Sequence, residues 1–329
     1  MTRRISPLLW PVLAAGSPLL IPWLMVRNQG FKRDQALALA QNRERIQQAA
    51  PLDLPELDSL HLTPLVEWER APGFEREPGV SYWLKSDQGD LLYDIGFGPQ
   101  MGGLEHNSKK LGFSLAHTPL VVISHLHMDH MGGEKAQKEK TVRFPQALGD
   151  TSGITCFVPD KTNNPDLRTE LVQGPMVLSN GMGTTGPLAR RLFLMGWCEE
   201  QAMLINLKGK GLVVISGCTH PGIQTVIKMA QKLSSEPIHA IVGGMHFPLT
   251  QSRLKKPGFE PIMIFGTGKP PWQRITGDDL QQAIAAINQA GPQRVLLSAH
   301  DTCDQGLAIM QKELKADTEV LKAGETYSF

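Results

Sequence analysis

The stretch HLHMDH, residues 125–130, decides the fold. It follows the apolar run PLVVI at residues 119–123 and precedes Gly132-Gly133. Neutral imidazole and carboxylate groups are ligands of zinc and similar divalent ions. Two histidines separated by one residue on extended backbone project from the same side of the chain. A tight loop between a buried strand and a helix could therefore offer one pair of ligands to each of two neighbouring ions, so the stretch predicts a metal-binding loop made by His125, His127, Asp129 and His130.

The pattern His125-x-His127-x-Asp129-His130 resembles the signature of the metallo-β-lactamase fold superfamily, and LLYDIG at residues 91–96 resembles the strand that precedes it. SGCTHPGI at residues 216–223 and GGMHF at residues 243–247 resemble the branch of dihydropterin-ribofuranosylaminobenzene-phosphate synthase-like proteins. The resemblance covers the chain from about residue 60 to its end. It implies an α/β fold, namely a four-layer αββα sandwich. It also implies a protein that acts on a small-molecule substrate.

Length and composition place limits on the function. A chain of 329 residues fits one catalytic domain, predicted over residues 56–329, with an N-terminal extension. The 33 basic and 32 acidic residues include no basic run with interleaved aromatics, so no nucleic-acid partner is expected. The four cysteines are far apart, and this spacing favours reduced thiols over a disulfide framework.

The N terminus predicts a membrane segment. Residues 5–26 form 22 uncharged positions between Arg3-Arg4 and Arg27, which as a helix is long enough to cross the ~30 Å hydrocarbon core. We therefore predict that residues 1–30 form an apolar helix, a single-pass membrane anchor or uncleaved signal segment of undetermined orientation. A cleaved signal ending near Ala14-Ala15-Gly16 and an apolar arm are the alternatives. Residues 31–55 are rich in helix formers and predict a helical linker.

The remainder of the chain alternates apolar strand-like and helical segments. The helical spacing of apolar residues predicts helices over residues 223–233 and 278–290. Short apolar or alternating runs predict strands over residues 61–68, 80–85, 90–95, 120–124, 154–158, 202–207, 212–216, 238–242 and 295–298.

Further metal ligands are needed, because two per ion are too few for a stable site that also holds water. His300 follows an apolar run and matches the last histidine ligand that the resemblance implies. Most superfamily members place a bridging aspartate after the strand at residues 211–215, whereas this chain has Cys218 there and His220 two residues on. A thiolate is soft and favours zinc. His246 follows another apolar run. We predict a catalytic role for it, as active-site lining or as a proton donor.

These residues predict a metal-dependent hydrolase that uses one or two Zn²⁺ ions, or other divalent ions, to activate water against an ester, amide or phosphoester bond. Asp129 either binds a second ion or orients the attacking water. The alternatives are a pterin-related synthase of the same fold and a non-catalytic, membrane-tethered metal-binding module. The sequence shows no basic phosphate pocket of the kind that the synthase would need. The acidic segment at residues 198–201 resembles the branch, but a solvated turn explains it nearly as well.

Overall fold

Two facing β-sheets with helices on their outer sides form the body of the protein. The computed structural model describes residues 10–251, 253 and 266–329, with the side chains of the first helix described at residue 18 and from residue 21 onward. The helices are α1 (Trp10–Gln48), α2 (Gly103–Leu111), α3 (Met128–Met131), α4 (Glu134–Glu139), α5 (Ile223–Leu233), α6 (Gly277–Ala290) and α7 (Asp304–Glu313).

The first sheet contains the strand that leads into the HLHMDH stretch. Within the described residues its strand order is β17-β2-β3-β4-β5-β6-β7, antiparallel from β17 to β4 and parallel from β4 to β7. Its members are β2 (Leu60–Val66), β3 (Ser81–Ser86), β4 (Gly89–Tyr93), β5 (Leu120–Val122), β6 (Thr155–Val158), β7 (Arg168–Leu171) and β17 (Tyr327–Ser328).

The second sheet carries the later predicted site residues at the ends of its strands. Its order is β16-β15-β14-β13-β12-β9-β8, and β1 pairs with β12. A separate hairpin is formed by β10 (Leu188–Leu192) and β11 (Gly196–Glu200). The members of the sheet are β1 (Glu56–Leu57), β8 (Met176–Val177), β9 (Gly183–Thr184), β12 (Met203–Leu207), β13 (Gly211–Ser216), β14 (Ile238–Gly243), β15 (Arg294–Leu297) and β16 (Asp317–Val320).

Three apolar clusters define the layers. One lies between the sheets, where Tyr82 and Leu91 of the first pack with Ile205 and Val242 of the second. Another joins the outer face of the second sheet to α5, α6 and α7. The third packs α2, α3 and α4 against the outer face of the first sheet. The mixed α/β fold therefore buries both faces of each sheet and leaves the strand ends available for a site.

Local signals fix the helices that border the site. In α5 the buried residues Ile223, Val226, Ile227, Ala230 and Leu233 recur at helical spacing, so one face packs on the sheet. Helix α6 begins with a capping box between its N-cap threonine and an aspartate three residues later. It ends at a glycine in the left-handed conformation, as helices commonly do.

Helix α1 corrects the prediction of a membrane anchor. No helix among the described residues is long and apolar enough to cross a membrane, so the predicted single-pass anchor and membrane contact through residues 5–26 are wrong. Residues 5–9 lie outside the described residues. The physical reason is composition: Pro18 and Pro22 interrupt the apolar stretch, and the same helix continues into charged residues from Arg27 onward. The helix runs through residue 30, where the anchor was predicted to give way to a linker.

The second half of α1 packs against the hairpin of β10 and β11. Asn42 is buried and exchanges two hydrogen bonds with the backbone of Ala189, at 2.8 and 2.7 Å. Arg45 forms a two-pronged ion pair with Glu199, at 2.7 and 3.1 Å. These contacts make α1 part of the folded body rather than a detached arm.

Candidate metal centre

The HLHMDH stretch begins in the loop after β5 and ends inside α3, and Asp94 holds it in place. Asp94 is buried at the end of β4 with a φ of 59°, a left-handed conformation that is uncommon outside glycine. Its carboxylate accepts hydrogen bonds from the backbone N–H of Ser124 at 2.6 Å and the Ser124 hydroxyl at 2.7 Å. It also lies 2.7 Å from Nδ1 of His130, which leaves Nε2 of that ring facing the site.

The structure brings together all seven residues predicted as metal ligands. Their donor atoms fall into groups within which every pair lies no more than 4.8 Å apart. In the first group, Nδ1 of His127 is 3.1 Å from Nε2 of His220. In the second, Sγ of Cys218 is 3.1 Å from Nε2 of His130 and 3.2 Å from Nε2 of His300. The first group is His125, His127 and His220, and the second is Asp129, His130, Cys218 and His300.

The two groups adjoin through the loop after β13. Cys218 belongs to the second group, and it also forms a third group with His220 and His246. The loop is fixed by the buried carboxylate of Glu200 at the end of β11, which accepts the backbone N–H groups of Cys218, Thr219 and His220 at 3.0, 2.8 and 2.7 Å. Burial raises the pKa of Glu200 to about 7, although these hydrogen bonds act in the opposite direction.

A second buried carboxylate supports His300 from behind. Nδ1 of His300 lies 2.6 Å from the Ser298 hydroxyl, which donates a hydrogen bond of 2.5 Å to Glu67. Glu67 also accepts the backbone N–H of Ala299 at 3.1 Å. Burial raises the pKa of Glu67 to about 7, with the hydrogen bond from Ser298 acting in the opposite direction. This chain of contacts fixes the ring so that Nε2 faces Cys218.

Most of the clustered imidazoles are held in the neutral form. Burial lowers the pKa of His127 and of His300 to about 4 each. Burial and the neighbouring rings lower the pKa of His125 and His220 well below their ordinary value. His130 differs: burial lowers its pKa, but the charges of Asp129 and Asp94 outweigh burial and raise the value to about 9. Neutral imidazole is the form that binds a metal.

The donor set fits a divalent metal such as zinc. Nε2 of His125 is buried and has no hydrogen-bond partner among the described residues, a costly state for a polar atom that a metal bond would relieve. The first group offers three imidazoles, and the second offers a carboxylate, two imidazoles and a thiol. Such mixed nitrogen, sulfur and oxygen sets are typical of zinc sites. An open position for water or substrate would distinguish a catalytic site from a structural one.

His246 lies beside the first group. It follows β14 with a φ of 56°, and its ring centroid is 4.9 Å from that of His220. Both of its ring nitrogens are buried without a hydrogen-bond partner among the described residues, and Nδ1 is 3.7 Å from Asp301. A side chain at Gly266 would meet the ring, since a Cβ there would fall 2.3 Å from Nε2. The predicted catalytic role of His246 stays a prediction.

A cleft of about 420 Å³ opens beside these histidines. It is lined by His220 and His246, by the beginning of α5, by Leu39 of α1 and by the cationic residue Arg190 of β10. Its size suits a small molecule, which would enter next to the candidate metal ligands.

Sequence reasoning missed four residues that build the site: Asp94, Glu67, Glu200 and Arg190. Asp94 was recognised only as part of a familiar segment. Glu200 lies in the acidic stretch that a solvated turn explained nearly as well, yet it is buried. Their position in the sequence could have indicated a role in the site, because Asp94 and Glu200 each lie at the end of a strand. Glu67 directly follows β2 and carries the same signal, whereas Arg190 lies within β10 and carries none.

Comparison with known proteins gives the class. A family model for the metallo-beta-lactamase superfamily matches residues 75–136, which contain the HLHMDH stretch. Tm1679, described as a metal-dependent hydrolase of the beta-lactamase superfamily, superposes with a TM-score of 0.58 at 21% identity, covering 82% of this chain and 98% of that one. The metallo-beta-lactamase fold protein YhfI from Bacillus subtilis gives 0.50 at 14% identity, covering 83% and 100%. The fold is that of the metallo-β-lactamase superfamily.

A curated relative agrees with the narrower branch. The 7,8-dihydropterin-6-methyl-4-(beta-D-ribofuranosyl)-aminobenzene-5'-phosphate synthase of Methanocaldococcus jannaschii is 23% identical over 261 residues, covering 68% of this chain and 79% of that protein. The resemblance predicted from the sequence, to the superfamily and to this branch, is confirmed.

Proposed function

We propose that this protein is a metal-dependent hydrolase that acts with a metal-activated water on an ester, amide or phosphoester bond of a small molecule. The observation that carries the proposal is the adjacency of two donor groups, joined through Cys218 and His220. We propose Zn²⁺ as the metal, with one or two ions. His125, His127 and His220 would hold the first, and the second group would hold the other.

A bound divalent ion of this kind lowers the pKa of water and polarises a carbonyl or phosphoryl oxygen. The protein supplies the remaining functions. Asp129 is the most exposed member of the second group, with 16% of its side chain accessible, so its carboxylate can meet an incoming molecule. It either serves as a ligand or orients the attacking water and takes its proton. We propose that His246, which is buried beside His220, donates a proton to the leaving group.

The second candidate is a synthase reaction on a pterin-related substrate. It is favoured by the printed activity of the Methanocaldococcus jannaschii relative, which matches more than two thirds of this chain. The two candidates share the metal ligands and differ in the bond that forms or breaks. The name of Tm1679 as a hydrolase supports the first candidate.

The test is an assay of the purified, metal-loaded full chain against activated esters and phosphodiesters, beside a pterin condensation assay. Asp129→Asn should lower kcat/KM for hydrolysis at least about a hundredfold, because loss of a general base or metal-ligating carboxylate has effects of that order. Asp150→Asn, which changes an exposed carboxylate, is the matched control. Unchanged turnover by Asp129→Asn, with far-ultraviolet circular dichroism showing an intact fold, would exclude the assignment.

A further inference from the structure

The cleft beside the candidate metal centre carries a cation that the metal chemistry does not use. We infer that this cleft binds an oxyanion group of the substrate, a phosphate or a carboxylate, between Arg190 and the N-terminus of α5. The inference rests on the proposed function and deepens it, because it names the substrate class as anionic small molecules. The reacting bond would then lie near His220, which lines the same cleft.

Arg190 forms no ion pair or hydrogen bond with another side chain in the described part of the chain. It lies in the cleft wall, and its Nε is buried with no hydrogen-bond partner among the described residues. The side chain is half-buried with its Nε enclosed, so pairing with an anion would compensate for the lost hydration of this nitrogen. Gly268 packs against the guanidinium, since a Cβ there would lie 2.5 Å from Nε and 2.6 Å from Nη2. The group is therefore held in one place, and its planar fork matches a carboxylate or phosphate.

Among the described residues that line the cleft, Arg190 is the cation without an ion-pair partner. Lys269 also lines the cleft, but its ammonium group is 2.5 Å from Asp279, which accepts hydrogen bonds from Thr276 as part of the cap of α6. The carboxylate of Asp279 is therefore already paired with Lys269 and with the N-terminus of α6. Its charge acts on Arg190 only at longer range, because no hydrogen bond joins the two in the described part of the chain.

The N-terminus of α5 faces the same space. Its N-cap is Gly222, with a φ of 91° and no side-chain cap, and Ile223 and Gln224 line the cleft. The first N–H groups of an α-helix have no partner within the helix, and the helix dipole favours negative charge there. A helix start and an unpaired arginine on one cleft form a site of the kind that binds phosphate.

The inference is tested by titrating the metal-loaded full chain with inorganic phosphate and with acetate in a calorimeter. Arg190→Gln should weaken binding of whichever anion binds the wild type at least about tenfold, because a bidentate charged contact is lost. Arg190→Lys should recover part of it. Arg191→Gln removes the same charge from the next position of β10, where the side chain lies 3.6 Å from Asp34, and should leave binding unchanged. Equal affinity in wild type and Arg190→Gln, or an equal loss in Arg191→Gln, would overturn the inference.

Two further measurements separate this inference from the proposed function. With an ester carrying a distal phosphate or carboxylate and its neutral analogue, Arg190→Gln should reduce the preference for the anionic ester at least about tenfold. A protein that hydrolyses neither ester would contradict the hydrolase proposal, while the anion titration would still decide the role of Arg190. If Arg190→Gln does not fold, phenylglyoxal labelling of the wild type decides: phosphate should slow modification of Arg190 and not of exposed Arg168, and equal labelling would refute the site.

Discussion

Sγ of Cys218 lies 3.1 Å from Nε2 of His130, whose Nδ1 lies 2.7 Å from the buried carboxylate of Asp94. The thiol thus belongs to the second donor group, while the carboxylate of Asp94 contacts the other ring nitrogen of the histidine. Burial raises the pKa of the Cys218 thiol. A coordinating metal would deprotonate the thiol. We therefore expect the thiolate to form when the ion binds.

Cobalt substitution tests the thiol as a ligand. Cobalt-loaded wild-type protein should show near-ultraviolet thiolate-to-metal absorption, and Cys218→Ser should abolish it, because serine offers no sulfur donor. Cys198→Ser changes a buried cysteine outside the donor groups and should leave the band intact. A band that persists in Cys218→Ser would assign the sulfur a packing role.

Elemental analysis tests the grouping of the histidines. His220→Ala should reduce the bound metal by about one ion per chain, because only two imidazoles of the first group would remain. The half-buried His239, outside all three groups, gives the control variant His239→Ala, whose metal content should equal that of the wild type. Full occupancy in His220→Ala would contradict the assignment of this ligand.

Glu200 is a positioning residue for the loop that carries two candidate ligands. Glu200→Gln replaces an oxygen acceptor of backbone N–H groups with an amide donor, so the metal dissociation constant should rise about 10- to 100-fold, as for outer ligands of other metal sites. Glu199→Gln alters the adjacent residue, which pairs with Arg45 instead, and should preserve affinity. The readout is competition with a zinc chelator, and equal constants in the two variants would refute this role.

Glu77 should make stability depend on pH. Burial raises its pKa from 4.5 to about 7, although its hydrogen bonds to Phe97 and Gly103 act in the opposite direction. The folded state therefore binds the proton more tightly than the unfolded state. Its stabilising contribution is complete below pH 4.5 and disappears as the pH rises through about 7, a loss of about 3 kcal/mol in the free energy of unfolding.

The check is urea unfolding at pH 5 and pH 8. Glu77→Gln cannot ionise, so its free energy of unfolding should fall less over this interval than that of the wild type. Exposed Glu75 provides the control variant Glu75→Gln, which should follow the wild type. An identical decline in Glu77→Gln and wild type would show that the titration lies elsewhere.

Asn42 should anchor α1 to the hairpin. Asn42→Ala leaves the buried N–H and carbonyl of Ala189 without partners, so the free energy of unfolding should fall by about 1 to 3 kcal/mol. Gln47 is exposed on the same helix, and Gln47→Ala should change stability little. Denaturant midpoints of the two variants decide the matter, and equal midpoints would mean that α1 contributes no coupling here.

Sequence patterns predicted the strands near the site because those strands are apolar and short. The nine predicted strands overlap observed ones, and helix α5 has the predicted limits. The strands β7, β10, β11 and β16 were missed because charged residues such as Glu170 and Arg190 interrupt their apolar pattern. The strands β1, β8, β9 and β17 were missed because each is only 2 residues long. The membrane segment was predicted because hydrophobicity was counted over residues 5–26 alone, whereas the same helix contains Pro18 and Pro22 and continues into charged residues from Arg27 onward.

The clustering of the candidate metal ligands was predictable because histidine clusters at strand ends are unusual as packing. Their supports were not, since a carboxylate such as Glu67 acts through a distant segment: it meets Ser298, which lies 231 positions away in the chain. Pairings of this kind arise from the meeting of the two sheets. A single sequence carries no local pattern for them, and this applies equally to Arg190 in the cleft.

Helix α1 has a consequence for the choice of substrate. Leu39 forms part of the cleft wall, and Gln35 donates a hydrogen bond of 3.0 Å to the carbonyl of Gly268, the residue that pins Arg190. Substitutions in α1 would therefore change the width and charge of the cleft without altering any candidate metal ligand. Selectivity could diverge among related proteins through a region remote in sequence from the reactive centre.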